Sequence, residues 1–203
     1  PNDPFDELQE YMTERGEKFN ADQKGGRDWT VEAEFAKFIA AGKTPADFYR
    51  DSESYPYHLI AFGEDIWKRP YRDYLFNEFL PPRTLREYGC GVGADGLKFL
   101  AAGYDVSFAD YPSRCTQFLE WRLTKRGLSN PVYKLGKDNP PRAQLVYAFD
   151  VVEHFLDPWD ALKAIEQHGE LVMVNLLKRL QPISPELKGK PRLHYYFDAK
   201  QLL

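Results

Sequence analysis

The sequence predicts a doubly wound α/β fold, in which a mostly parallel sheet carries helices on both faces and follows an N-terminal helical segment. From residue 85 onward, short apolar runs alternate with amphipathic stretches of about ten to fifteen residues. Strands that alternate with helices of this length pair in parallel. Before residue 80 the chain is rich in aromatic residues and lacks the alternation of a sheet, so residues 1–80 are predicted to be a helical accessory segment or lid.

Two helices are predicted near the start of the accessory segment, at residues 6–19 and 30–42. Thr30 is expected to be the N-cap of the second helix, and Gly42 is expected to end it. The segment "LPPRT", at residues 80–84, marks the boundary with a second domain at residues 81–203.

The second domain contains five predicted strands and three predicted helices between them. The strands cover residues 85–88, 104–110, 131–135, 143–150 and 170–177, and the helices cover residues 94–103, 113–127 and 158–169. Asp95, near the start of the first of these helices, is expected to be a cap. Ligands of such sheets bind beyond the carboxyl ends of the strands.

Composition and charge narrow the class of protein. The chain has 203 residues and a net charge of −4, which argues against nucleic-acid binding. No apolar run approaches the length of a membrane span, and the start resembles no secretory signal, so we expect a cytoplasmic protein without a membrane partner. The two cysteines, Cys90 and Cys115, lack metal-ligand spacing, and we expect no metal site.

The segment "EYGCGVG" places Gly89, Gly91 and Gly93 directly after the first predicted strand. Glycines at this position allow a ligand to approach the backbone, and the following helix N-terminus favours an anion. Both a dinucleotide pyrophosphate and the carboxylate of an amino-acid-like ligand meet this description. Asp110, at the end of the second strand, can accept ribose hydroxyls from either class.

Glu87 favours the second class of ligand. A carboxylate at the tip of the first strand would repel a pyrophosphate but attract an ammonium group. S-adenosylmethionine combines an amino-acid end with a ribose, and it therefore suits both Glu87 and Asp110.

Two segments, "REYGCGVGADGLKFLAAGYDVSFADYP" and "LVYAFDVVEHFLDPWDAL", resemble the class I S-adenosylmethionine-dependent methyltransferases, over roughly residues 80–203. The resemblance implies a Rossmann-like domain at residues 81–203 that binds this cofactor. It implies that the glycine loop holds the methionine part, that Asp110 holds the ribose and that Tyr111 packs on the adenine. The cofactor-binding residues implied in this way are Glu87, Gly89, Cys90, Gly91, Gly93, Asp110, Tyr111, Asp150 and Val151.

Five residues are individual candidates for the acceptor side of the site. His154, in "FDVVEH", is the candidate catalytic base, and a structural histidine bonded to the backbone is the alternative. The candidates for substrate contact are His58, Trp67, His194 and Tyr195. The aromatic residues of the accessory segment form either a pocket wall or the core of that segment; they are Tyr55, Tyr57, Phe62, Trp67, Tyr71 and Tyr74.

Three features depart from the family pattern. Arg86 occupies a strand position that is usually apolar, so its guanidinium must leave the core or find a partner. Asp138 is a displaced candidate for the acidic residue near the adenine. The family sheet normally has two further C-terminal strands, which are missing from this chain, and we interpret their absence as a truncation.

The expected function is methyl transfer from S-adenosylmethionine to a small-molecule acceptor by in-line displacement, mainly through positioning. A non-catalytic protein that binds the same cofactor and a protein partner is one alternative. An NAD-dependent oxidoreductase is the other, because "GCGVGA" and Asp110 also suit a dinucleotide.

Overall fold

The computed structural model describes residues 3–24, 28–64, 68–77, 84–176 and 193–194. Its centre is a five-stranded sheet with the order β3-β2-β1-β4-β5, in which every neighbouring pair is parallel. The strands are β1 (Thr84–Tyr88), β2 (Asp105–Asp110), β3 (Val132–Lys134), β4 (Ala143–Ala148) and β5 (Gly169–Val174). The prediction of a doubly wound α/β fold is confirmed.

Three helices connect these strands: α6 (Gly96–Ala101), α7 (Arg114–Lys125) and α8 (Pro158–Glu166). Two hydrophobic clusters lie on the two faces of the sheet, because successive side chains of a strand point in opposite directions. Leu85 and Phe108 belong to the cluster that contains Phe99 of α6. Tyr88 belongs to the other cluster, which contains Ile165 of α8. The sheet is therefore covered on both faces, as predicted.

The accessory segment is helical, as predicted. It contains α1 (Pro4–Glu14), α2 (Asp28–Ala40), α3 (Pro45–Asp51), α4 (Tyr55–Gly63), α5 (Arg69–Asn77) and a 3-10 turn at Ala21–Gln23. The prediction that Thr30 is an N-cap is wrong, because α2 already begins at Asp28. Gly42 ends this helix as predicted, with φ of 75° and its N–H bonded to Ile39 O at 3.0 Å.

A buried ion pair fastens the accessory segment to the sheet domain. Arg122 of α7 donates to Glu7 of α1 at 2.9 Å, and both residues are almost fully buried. The same guanidinium donates to the carbonyl of Val92, in the glycine loop, at 2.6 Å. One side chain thus holds α1 and the glycine loop in fixed relative positions.

Arg86 finds partners inside the protein. Its guanidinium donates to Ser107 Oγ at 3.1 Å and to the carbonyl of Pro141 at 2.8 Å, and it lies 4.8 Å from the ring centroid of Tyr133. These contacts compensate for the burial of the charge. In the described part of the chain, no helix is long and apolar enough to cross a membrane. The expected truncation of the last two strands concerns residues beyond 176, where only 193 and 194 are described.

Candidate functional site

The glycine loop after β1 requires bare backbone for two reasons. Gly89, Gly91 and Gly93 all have φ in the left-handed region, at 70°, 49° and 71°. The space at these positions is also filled: a Cβ atom on Gly89 would lie 2.5 Å from Val151 Cγ2, and a Cβ atom on Gly91 would lie 2.6 Å from Leu59 Cδ1. Val151 follows β4, whereas Leu59 belongs to α4, so the loop is packed between the sheet edge and the accessory segment.

Asp110 lies at the carboxyl end of β2 and contacts the glycine loop directly. Its Oδ2 accepts a hydrogen bond from the N–H of Gly91 at 2.8 Å, and its Oδ1 accepts one from the N–H of Tyr111 at 2.7 Å. Burial raises the pKa of this carboxyl to about 6, so it is ionised at neutral pH. Each carboxylate oxygen retains a lone pair that a ribose hydroxyl can use.

Tyr111, directly after β2, has an exposed ring. Its side chain is 57% exposed, which is unusual for a large aromatic residue. The ring lies beside Gly136, where a Cβ atom would be 3.9 Å from Tyr111 Cε1. Asp138, the displaced candidate near the adenine, is exposed and accepts a hydrogen bond from the N–H of Lys134 at 2.6 Å.

Glu87 lies beneath the glycine loop and does not stand open at the strand tip. It is 7% exposed, and its Oε2 accepts a hydrogen bond from the N–H of Gly96, at the start of α6, at 2.9 Å. Burial, reinforced by the nearby charge of Asp95, raises the pKa of Glu87 to about 8. The carboxyl is therefore enclosed beneath the loop, and the sequence argument that treated it as an open anion at the strand tip needs this correction.

A buried ion cluster, formed by Lys68, Arg72, Asp95 and Asp150, joins the accessory segment to the sheet edge. Lys68 Nζ lies 3.3 Å from Asp95 Oδ2 and 3.4 Å from Asp150 Oδ2, and Arg72 Nε lies 3.2 Å from Asp95 Oδ1. Burial lowers the pKa of Lys68, but the charges of Asp95 and Asp150 outweigh it, and the net shift is upward. Asp95 occupies the N-cap position of α6 without the side-chain hydrogen bond of a cap.

Asp150 turns the chain sharply after β4. It is a non-glycine residue with φ of 57°, and two hydrogen bonds of 2.6 Å join it to Asn175, which follows β5. The backbone strain at this position is offset by these bonds. The turn carries residues 152–154, a short 3-10 helix, over the carboxyl edge of the sheet.

Glu153 is a buried carboxyl without a hydrogen-bond partner in the described part of the chain. The residue is 2% exposed, and within the described ranges neither of its side-chain oxygens forms a hydrogen bond with another residue. Burial raises the pKa of this carboxyl to about 8, and the charge of Asp150 contributes in the same direction. Sequence reasoning missed this residue, although it stands directly before His154.

His154 is held by contacts at one ring nitrogen. Nδ1 lies 2.8 Å from Tyr49 Oη and 2.9 Å from the carbonyl oxygen of Leu193, and the Tyr49 hydroxyl donates to the same carbonyl at 2.9 Å. A carbonyl oxygen can only accept, so Nδ1 carries the proton and Nε2 is the unprotonated nitrogen of the neutral ring. Burial lowers the pKa of His154 to about 4. The bond to Leu193 is the backbone contact that the structural alternative for this residue predicts.

The aromatic face of α4 lies over this edge of the sheet. The rings of Tyr55 and His58 stack at 6.1 Å, those of His58 and Phe62 stack at 5.9 Å, and Lys68 Nζ lies 4.9 Å from the Phe62 centroid. Burial is the main cause that lowers the pKa of His154, and His58 lowers it further, whereas backbone hydrogen bonds act in the opposite direction. The aromatic rings of α4, His58 and His154, which the sequence predicts near the acceptor, therefore lie close together.

His194 also belongs to this group, since its ring centroid lies 4.9 Å from that of His154. Trp67 and Tyr195 lie outside the described residues. Among the other aromatic candidates, Tyr57 is a core residue whose hydroxyl accepts from the N–H of Asn20 at 2.8 Å, and Tyr71 packs on Phe149. Tyr74 is 49% exposed.

Both cysteines are buried thiols. Cys90 belongs to the core cluster on the α6 face of the sheet, so the glycine loop presents its backbone and not its sulfur. Burial raises the pKa of both thiols above the ordinary range, which makes them unreactive at neutral pH. Within the described ranges, no group of three His, Cys, Asp or Glu side chains is arranged to hold a metal ion.

Sequence comparison and structure comparison give different results. No protein-family model and no curated protein matches the sequence. Among solved structures, PigF with SAH aligns with a TM-score of 0.56 and 14% identity, over 76% of this chain and 54% of PigF. Magnesium protoporphyrin IX methyltransferase (ChlM) from Synechocystis PCC 6803 with bound SAH aligns with a TM-score of 0.54 and 13% identity, over 87% of this chain and 85% of ChlM. The fold of this chain is therefore the Rossmann-like fold of the class I S-adenosylmethionine-dependent methyltransferases.

Proposed function

We propose that this protein transfers a methyl group from S-adenosylmethionine to a small-molecule acceptor. The observation that carries the proposal is the hydrogen bond between Asp110 and the N–H of Gly91. It joins the acidic residue after β2 to the glycine loop after β1, at the edge where ligands of doubly wound sheets bind. The likeness in fold to methyltransferase structures supports the same conclusion.

The residues present suit S-adenosylmethionine. The loop of Gly89, Cys90, Gly91 and Gly93 offers backbone to the methionine part, and its three glycines adopt left-handed φ values. Asp110 offers carboxylate lone pairs to the ribose, and the exposed ring of Tyr111 offers a face to the adenine. Asp150 and Val151 line the proposed cofactor site at the end of β4. Glu87 lies beneath the loop and accepts a hydrogen bond from the N–H of Gly96.

The chemistry requires positioning more than acid–base catalysis. When bound, S-adenosylmethionine supplies a methyl group that its sulfonium already activates. The protein must hold the acceptor atom in line with this methyl group, and such positioning is worth about 7–11 kcal/mol. The turn at Asp150 and the α4 face on the opposite side fix the two walls between which an acceptor would be held.

We propose that His154 accepts a hydrogen bond from the acceptor through Nε2. Its pKa of about 4 makes it neutral at physiological pH, so Nε2 keeps its lone pair, but it also makes the ring a weak base. His58 and His194, whose rings surround the same position, are proposed to contact the acceptor. Trp67 and Tyr195 stay proposals from the sequence.

A small acceptor is supported by the contact between the accessory segment and the sheet domain. Leu59 covers Gly91, and Lys68 pairs with carboxylates of the sheet edge, so α4 and α5 are packed onto the site. ChlM, to which the chain is similar in fold, bears the name of a methyltransferase for magnesium protoporphyrin IX, a small molecule.

Calorimetric titration with S-adenosylmethionine, S-adenosylhomocysteine and NAD, in parallel, tests the proposal. We expect micromolar binding of the first two ligands and none of NAD. The Asp110→Asn variant should weaken the first two without changing the melting temperature by more than a few degrees. Binding of NAD alone would refute the proposal and support an oxidoreductase.

A further inference from the structure

We propose that Glu153 is the binding subsite for a positively charged amino group of the acceptor, so that the substrate is a small amine with an apolar or aromatic body. This inference rests on the proposed function. It begins from the burial of Glu153, which is 2% exposed with no hydrogen bond to either carboxylate oxygen in the described part of the chain. Buried carboxyls without partners are rare because the loss of hydration is not repaid. A ligand with several N–H donors would repay it.

The charges around Glu153 favour a cation over a neutral donor. Asp150 and Lys68 are the charges that act on the pKa of Glu153, and Glu153 in turn contributes to the raised pKa of Tyr55 in α4. Lys68 is already shared between Asp95 and Asp150, at 3.3 and 3.4 Å. Its ammonium therefore satisfies the buried ion cluster and leaves Glu153 without a close counter-ion among the described residues.

A count of the described buried charges leads to the same conclusion. Asp110 is stabilised by two backbone N–H groups. The other carboxyls near the glycine loop and the end of β4 are Glu87, Asp95, Asp150 and Glu153, whereas the cations paired with them are Lys68 and Arg72. The sulfonium of S-adenosylmethionine supplies one net positive charge. A second cation is still needed if both Glu87 and Glu153 are to be ionised in the complex.

The walls near Glu153 suit an amine with an apolar body. Tyr55, His58 and Phe62 form a continuous stack along α4. Phe62 already accepts an ammonium over its ring, since Lys68 Nζ lies 4.9 Å from its centroid. Aromatic faces attract cations and apolar groups alike.

Glu153 can also take the proton that an ammonium group must lose before it becomes a nucleophile. The N–H bond breaks, an O–H bond forms on the carboxylate, and nitrogen keeps the electron pair. Burial favours the neutral carboxyl and raises its pKa to about 8, which is nearer than an ordinary carboxyl to the value of roughly 10.4 for an alkylammonium group, so the proton transfer costs less. His154, with a pKa of about 4, is the weaker base of the two neighbours.

The test compares phenethylamine with phenethyl alcohol, which has the same body and no charge. Both are titrated by NMR into the full chain saturated with S-adenosylhomocysteine, as wild type and as Glu153→Gln. The wild type should bind the amine at least tenfold more tightly than the alcohol. Glu153→Gln should abolish this preference while leaving the affinities for the alcohol and for S-adenosylhomocysteine within twofold.

The matched control is Glu166→Gln, which removes an exposed carboxyl at the end of α8 and should retain the preference for the amine. Glu153→Leu is a second variant that should lose it. Equal binding of amine and alcohol by the wild type overturns the inference, and so does a preference that survives both substitutions. A tenfold loss of S-adenosylhomocysteine affinity in Glu153→Gln overturns it too, because Glu153 would then bind the cofactor. Failure of the proposed function has a different signature, since no S-adenosylhomocysteine would bind to the wild type.

Discussion

Leu59 of α4 lies so close to Gly91 that a Cβ atom at residue 91 would come within 2.6 Å of Leu59 Cδ1. The contact joins the accessory segment to the loop that is proposed to hold the methionine part of the cofactor. The candidate site is therefore built from both parts of the chain. A lid that moved independently of the loop would not need a bare glycine at this position.

Gly91→Ala should destabilise the protein and weaken cofactor binding together. The new methyl group meets Leu59, and the residue must keep a φ of 49°, which costs an alanine about 1–2 kcal/mol. We expect a fall of about 2–4 kcal/mol in the free energy of unfolding, measured with urea. The affinity for S-adenosylmethionine should fall at least tenfold in calorimetry.

The matched control is Gly127→Ala, after α7. Gly127 has φ of 66°, but a Cβ atom there meets nothing within 4 Å. The free energy of unfolding of this variant should fall only by the cost of a left-handed φ in alanine, about 1–2 kcal/mol. The variant should bind the cofactor as the wild type does. If both variants bound S-adenosylmethionine normally, the loop would not be the cofactor site.

Asp110→Asn should weaken S-adenosylmethionine binding by about 1–3 kcal/mol, because a charge-assisted acceptor is lost. The pH dependence provides a sharper measurement. Since burial places the pKa of Asp110 near 6, the wild-type affinity should fall as the pH is lowered through 6 and the carboxylate gains a proton. The variant should show no such fall between pH 7 and 5. An identical pH profile in both proteins would contradict the assignment of Asp110 to the ribose.

Local patterns in the sequence predicted the sheet, and they predicted that the glycine loop after β1 and the acidic residue at the end of β2 lie at the same edge. Short runs between helical patterns marked all five strands, and glycines marked the turn after β1. Gly91 and Asp110 meet because β1 and β2 are parallel neighbours whose carboxyl ends lie at the same edge. Pairing of this kind follows from strand order, which the alternation of strands and helices constrains.

The ion pairs and the burial of the acidic residues could not be predicted in the same way. Lys68 and Asp95 are 27 residues apart, and nothing in their local sequence indicates that they meet. Tyr49 and His154 are separated by 105 residues. The burial of Glu87 and Glu153 depends on how α4 and α5 cover the edge, which is a tertiary property. The local sequence signal for these ion pairs was the group of basic residues in "WKRPYRD", because cations in an aromatic-rich segment need acidic partners.

Tyr49→Phe should weaken the preference of His154 for the tautomer that is protonated at Nδ1. The hydroxyl lies 2.8 Å from Nδ1 and shares the carbonyl of Leu193 with it, so its removal leaves that carbonyl as the described hydrogen-bond partner of Nδ1. Nitrogen-15 NMR of labelled histidine should show Nδ1 protonated in the wild type and a larger share of the Nε2-protonated form in the variant. Methyl transfer should slow about fivefold, the effect of one neutral hydrogen bond, without a change in S-adenosylmethionine affinity.

The control for this variant is Tyr74→Phe, on the exposed side of α5, which should leave the His154 spectrum unchanged. A wild-type spectrum with the proton on Nε2 would contradict the geometry at Nδ1. It would also remove the reason to assign Nε2 the role of hydrogen-bond acceptor.

Glu153→Gln should stabilise the protein, and the gain should grow with pH. The carboxyl has a pKa of about 8 in the folded chain and about 4.5 when unfolded. Between these values the folded state holds one more proton than the unfolded state, so the stability contributed by Glu153 is complete below pH 4.5 and is lost as the pH rises to 8. At about 1.4 kcal/mol per pH unit, the variant should exceed the wild type by about 4–5 kcal/mol at pH 8 and by almost nothing at pH 4. Urea unfolding at both pH values measures the difference. A variant that is less stable than the wild type at pH 8 would mean that Glu153 has a counter-ion in the folded chain, and such a carboxylate would not be available to bind an amine.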